Sequence, residues 1–123
     1  MPGSRVMMLD WKEYQQQVVA TTRDMAKMSP DTLRGYAELS NAGAKTSLLG
    51  AKTRELIAVA VAVTRECDGC IAIHTDAAIK HGATREEIME ALGVAIAVNA
   101  GAALVFSSRV MDAYAANTVP ASE

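Results

Sequence analysis

Glu66-Cys67-Asp68-Gly69-Cys70-Ile71-Ala72-Ile73-His74 is the stretch on which the reading of this chain turns. It holds both cysteines and one of the two histidines, spaced C-x-x-C-x-x-x-H. On a helix of about 3.6 residues per turn, Cys70 follows Cys67 by one turn and His74 lies four residues further on. The three side chains then fall within roughly 60° of arc. Two thiols and an imidazole therefore share one stripe. A cysteine reacts as its thiolate, and a helix N-terminus favours an anion through its unpaired N–H groups. His74 is placed to hydrogen-bond the Cys70 sulfur or to relay its proton. The C-x-x-C spacing lets one thiolate attack an oxidant or a disulfide while the other resolves the product.

Working outward, the flanks read as helices. Residues 11–28 carry apolar positions at helical spacing behind Asp10, a good N-cap. Ser29-Pro30-Asp31 restarts a second helix, with proline at its first position. That helix is expected to reach about Ala42 and to end on Gly43, with a connector over 44–50. From Ala51 to Arg65 the β-branched run 56–63 competes as a strand, but its length and charged first turn favour a buried helix. A fourth helix is expected from about Asp68 to Lys80, closed by His81-Gly82. Thr84 and Glu87 form a capping box before a fifth helix that runs to about Val98. Asn99-Ala100-Gly101 is expected to interrupt it, with a last helix over 102–115 and a frayed polar tail over 117–123.

The result is an all-α, single-domain helical bundle of about six helices covering residues 1–123. Half of the residues are apolar but only 4% are aromatic, so the apolar mass is small aliphatic and suited to close helix packing. The Ala/Val-rich segments 56–63 and 92–105 offer more apolar surface than a small monomer buries, which points to a homo-oligomer. A net charge of −2 supplies no broad attraction to nucleic acid or to an anionic membrane. The first residues show no secretory signal, and the apolar stretches 56–63 and 92–98 are too short to span a bilayer. A cytoplasmic location is the expectation. In that reducing setting a close cysteine pair is more often redox-active or metal-binding than a structural staple.

Zinc needs about four ligands in a structural site. This chain has two cysteines and two histidines in all, and His81 lies two turns past His74, out of reach of one shared metal. Two buried cysteines serving as small hydrophobes remain an alternative. A proton-relay carboxylate is less easily chosen. Glu66 is nearest in sequence, whereas Glu55 stands twelve residues before Cys67, or ~18 Å along a straight helix. Glu55 reaches His74 only if the chain bends near residues 64–67. No flavin or nucleotide motif is present, and no metal or other cofactor is expected.

Residues 52–115 resemble the carboxymuconolactone decarboxylase / alkylhydroperoxidase D-like family. Arg54-Glu55-Leu56-Ile57-Ala58-Val59-Ala60-Val61-Ala62 is similar to the family's R-E-L-I-A-L-A-V-A helix. The cysteine stretch is similar to its redox motif, and Gly82-Ala83-Thr84-Arg85-Glu86-Glu87-Ile88 to its next helix start. The signature E-x11-C-x2-C-x3-H is met by Glu55, Cys67, Cys70 and His74. The resemblance implies a thiol-dependent peroxidase or disulfide reductase, with Cys70 attacking and Cys67 resolving. His74 would take or relay the proton and Glu55 would complete the relay, in place of Glu66. It also implies a hydroperoxide substrate, a dithiol or protein reductant, and assembly into trimers or hexamers. The branch named for decarboxylation typically lacks the cysteine pair. Two rival functions follow: a non-catalytic oligomeric redox sensor using the same cysteines, and a decarboxylase-like enzyme.

Overall fold

Five helices make up the structure, a computed structural model that describes residues 7–120: α1 (Trp11–Met28), α2 (Pro30–Thr46), α3 (Ala51–Thr64), α4 (Asp68–Lys80) and α5 (Arg85–Thr118). No strand occurs among the described residues, and the run 56–63 lies inside α3. The start of the chain, 1–6, and the end of the polar tail, 121–123, lie outside the described residues.

Local chemistry accounts for most boundaries. The Asp10 carboxylate accepts from the Glu13 N–H at 3.1 Å and caps α1. Ser29 and Pro30 open α2, although the Ser29 hydroxyl meets the Thr32 hydroxyl at 2.6 Å rather than a backbone N–H. Thr84 and Glu87 form the full capping box of α5, with bonds of 3.0 and 2.9 Å.

Two expected helix ends are corrected. Gly43 does not terminate α2, which continues to Thr46 and ends on left-handed Ser47 at φ 50°. Gly43 is small for a different reason: a Cβ there would come within 2.9 Å of the Arg54 side chain from α3. Asn99-Ala100-Gly101 does not divide the last segment, so five helices replace six. The Asn99 amide turns back to the Ala95 carbonyl at 2.7 Å, so this polar side chain is satisfied inside the helix it was expected to break. The merged α5 has 34 residues. It is long and apolar enough to cross a membrane by length and composition, unlike the short stretches taken separately.

α3 is the central element, packed against both α4 and α5, while α1 lies on α4 and contacts α2. The buried apolar residues are Val59, Ala62, Ala72, Ala78 and Ala95, all small and all on these three central helices. Small side chains bring the helix backbones close but bury little area each. Beyond Gly101, α5 leaves the bundle: Leu104 is 76% exposed, Phe106 65% and Val110 67%.

Lys52 of α3 meets Glu87 at the start of α5 at 2.8 Å and helps set the angle between those helices. The Lys52 ammonium, and secondarily the Thr84 backbone, hold the Glu87 carboxyl below its ordinary value of 4.5. A depressed folded-state value means that the stabilisation is fully present above about pH 4.5 and is lost as pH falls through the lower folded value. Thermal melts followed by circular dichroism at pH 6 and pH 3 should therefore show a smaller acid-induced drop for Glu87→Gln than for the parent. An equal drop would remove this pair from the acid response.

Candidate functional site

The site is built on the α3–α4 hairpin and on the three-residue turn that closes it. The Cys67 N–H donates to the Ala62 carbonyl and the Glu66 N–H to the Val63 carbonyl, each at 3.2 Å. This is the hydrogen-bond pattern of a Schellman ending, with Glu66 at the left-handed position, φ 52°. Glycine is the usual occupant there, as Gly82 is at the end of α4 with φ 89°. A glutamate in this conformation carries about 1–2 kcal/mol of steric cost. What the turn achieves is direction. The chain leaves α3 and enters α4 within three residues, so the two helices run back along each other.

Cys67 itself caps α4. Its backbone is extended, and its sulfur accepts from the Cys70 N–H at 3.2 Å. Cys67 and Cys70 are joined as a disulfide, with Cα atoms 5.3 Å apart, inside the range that bond requires. Both are half-buried. The pair therefore sits on the N-terminal turn of α4, where free N–H groups face any charge that develops on sulfur.

His74 lies farther down α4, and its Nδ1 stands 2.7 Å from Oε1 of Glu55 on α3. With the carboxylate ionised, Nδ1 carries the proton and donates it, which leaves Nε2 free to accept. The side chains are 28% and 23% exposed, so the contact is partly shielded from water yet reachable. The hairpin removes the distance objection to Glu55. Its nine-residue offset from the end of α3 is met by the six-residue offset of His74 from the start of α4, and the two side chains span the rest. Glu66 stays exposed at the turn, and its carboxylate has no hydrogen bond among the described residues. In this disulfide form no hydrogen bond links His74 to either sulfur among the described residues, so a proton passing between them crosses a gap that water can fill.

His81 caps the far end of α4, exposed and away from His74. No group of three His, Cys, Asp or Glu side chains able to hold a metal occurs among the described residues. Sequence reasoning missed two features around the site. Cys67 is a helix cap as well as a thiol, a role open to a small polarizable side chain just before Asp68. Arg54, beside Glu55, has its stem under Gly43 and its buried Nη1 without a hydrogen-bond partner among the described residues. The charged first turn of α3 was the available signal for it.

Residues 30–113 match the model of the carboxymuconolactone decarboxylase family. A crystal structure of an apo carboxymuconolactone decarboxylase family protein from Legionella pneumophila is similar at a TM-score of 0.69 and 33% identity, over 85% of this chain and 93% of that one. An uncharacterized protein from Haemophilus influenzae is 46% identical over 108 residues, 88% of this chain and 96% of the relative. Another, from Cupriavidus necator, is 32% identical over 87 residues, 71% and 77% of the respective lengths. The chain belongs to the carboxymuconolactone decarboxylase family, and its function falls within the alkylhydroperoxidase-like or decarboxylase-like range of that family.

The turn yields a direct check. Glu66→Gly should raise the unfolding free energy by about 0.5–1 kcal/mol in reducing buffer, because glycine takes the left-handed position without strain. Glu66→Val should lower it, since a β-branched residue fits worst there. Denaturant titration of the three proteins gives the order. A glycine variant less stable than the parent would show that the Glu66 side chain supports the turn.

Proposed function

We propose that the protein is a thiol-dependent peroxidase or disulfide reductase of the alkylhydroperoxidase type. The observation that carries the reading is the Glu55–His74 contact on the same hairpin as a cysteine pair that caps a helix. A carboxylate that fixes the tautomer of an imidazole near a thiol is the usual way to activate a sulfur nucleophile.

The cycle starts from the reduced pair. His74, oriented by Glu55, takes the Cys70 proton through water, and the N-terminal turn of α4 stabilises the thiolate. The Cys70 sulfur attacks the nearer peroxide oxygen, the O–O bond breaks, and the alkoxide leaves as an alcohol with the proton returned by His74. Cys70 is now a sulfenic acid. The Cys67 sulfur displaces its hydroxyl as water and forms the disulfide. A dithiol reductant, small or protein-borne, then reopens the disulfide by thiol exchange and is itself oxidised. No metal or flavin is needed at any step.

Steady-state turnover of an alkyl hydroperoxide with a dithiol should vanish in Cys70→Ser and in Cys67→Ser. It should fall about 100-fold in Glu55→Gln, the scale of losing a positioned acid–base group, and stay near the parent value in Glu66→Gln. Full turnover in either cysteine variant would sink the mechanism. Oxidation that happens once and stops would favour the redox sensor.

The decarboxylase-like reading has one observation in its favour. Glu55 and His74 form an acid–base pair that needs no sulfur, and the family is named for such chemistry. Activity on a lactone or carboxylic acid that survives alkylation of both cysteines would establish it.

The working unit in this proposal is a cytoplasmic homo-oligomer, a trimer or hexamer. The free half of α5 carries exposed Leu104, Val105, Phe106, Val110 and Tyr114. It also carries Arg109, placed over the Phe106 ring at 4.8 Å, and Asp112, which suit a protein interface better than lipid. Light scattering on detergent-free protein should give a multiple of the 13.0 kDa chain mass, and Phe106→Asp with Val110→Asp should lower it. A monomeric mass for the parent, or extraction only with detergent, would contradict the assembly.

A further inference from the structure

α1 and α4 run antiparallel, with Val18 facing Gly69 at one end and Trp11 near Ile79 at the other. Between them lies a groove of two adjoining lobes. The first, about 590 Å³, is cationic: Lys12, Arg23 and Lys80 line it, against one carboxylate, Asp76. Asp76 is already engaged by Lys80 at 3.0 Å and by the Gln15 amide at 3.3 Å. Lys12 and Arg23 make no direct ion pair among the described residues; Lys80 and Gln15 do most to hold the Asp76 carboxyl below its ordinary value, and Lys12 adds a weaker through-space pull. The second lobe, about 410 Å³, is apolar, walled by Trp11, Ile71 and Ile79. Lys12, Gln15 and Asp76 border both lobes, which places an unpaired ammonium at their junction. Each lobe is of a size that small-molecule sites adopt.

We propose that this groove binds an amphipathic monocarboxylate, a fatty acid of medium chain length, with its head on the Lys12 side of the cationic lobe and its tail against Trp11, Ile71 and Ile79. Charge complementarity selects an anion, and the adjoining apolar lobe selects one with a hydrocarbon tail over phosphate or a nucleotide. The thiols and His74 occupy a different face of α4 from Ile71, Thr75 and Ile79. The site therefore stands apart from the peroxidase reading and can succeed or fail without it.

Trp11 is the only tryptophan of the chain, so the apolar lobe has its own reporter. Decanoate, kept below its micelle threshold, should give a saturable blue shift and intensity change of Trp11 emission. Shortening the acid by two methylenes should weaken binding about tenfold. Lys12→Gln combined with Arg23→Gln should weaken decanoate at least about threefold, as should raised salt. Decanol should bind no better to the parent than to that variant, and Cys70→Ser should bind decanoate like the parent. Three results would overturn the site. The first is no saturable change with decanoate. The second is equal binding of decanoate by the parent and the double variant. The third is Trp11 emission that responds to protein dilution but not to decanoate, which would assign the groove to a second copy of the chain.

Discussion

The reversal of the chain at Arg65, Glu66 and Cys67 is the constraint on which the rest of the structure depends. A left-handed residue at Glu66 lets α3 end and α4 begin within three residues. That reversal has two consequences at once. It frees the Cys67 sulfur to cap α4, and it lays α4 back along α3 in the register that sets Glu55 against His74 at 2.7 Å. A helix continuing through the turn would have kept the glutamate and the imidazole about 28 Å apart along one axis. The site is thus a property of the turn as much as of the four side chains.

The same hairpin explains how little the single chain buries. Alanine and valine at the α3–α4 and α3–α5 contacts allow close backbone approach, which a precise Glu–His contact favours. They leave few large side chains in the interior. The larger apolar residues sit instead on the outer faces and on the free half of α5. Close packing around the site and a wide apolar exterior are two sides of one choice of residues, and our proposal of a homo-oligomer follows from the second.

What was legible in the sequence is local. The cap at Asp10 and the Thr84–Glu87 box depend on residues three apart, and the Ser29-Pro30 restart on adjacent ones; the structure has a helix beginning at each. The limits of α4 were readable for the same reason. The misreadings arose where a contact with no sequence signature decided the outcome: a tertiary partner at Gly43, and a side-chain bond within its own helix at Asn99. Gly43 looks like a helix end until the Arg54 stem is placed beside it. Asn99 looks like a breaker until its amide is seen bonded within α5. Glu55 shows the limit most clearly. Its meeting with His74 cannot be derived from spacing alone, because it requires a turn built on a residue that seldom adopts the left-handed conformation. The resemblance to a family pattern supplied that pairing, and geometry then explained it. The groove between α1 and α4 had no signature in sequence, since its walls come from residues some sixty positions apart.

The central claim is that Cys67 and Cys70 form one redox unit driven by peroxide. The most direct test is the intact mass of the fully reduced protein after one equivalent of an alkyl hydroperoxide. The account predicts a loss of about two daltons, two hydrogens given up as the disulfide forms. Cys67→Ser should instead gain about sixteen daltons, as the sulfenic acid at Cys70 is left unresolved. Parent protein that keeps its mass, or a Cys70→Ser variant that gains the oxygen as readily as Cys67→Ser, would contradict it.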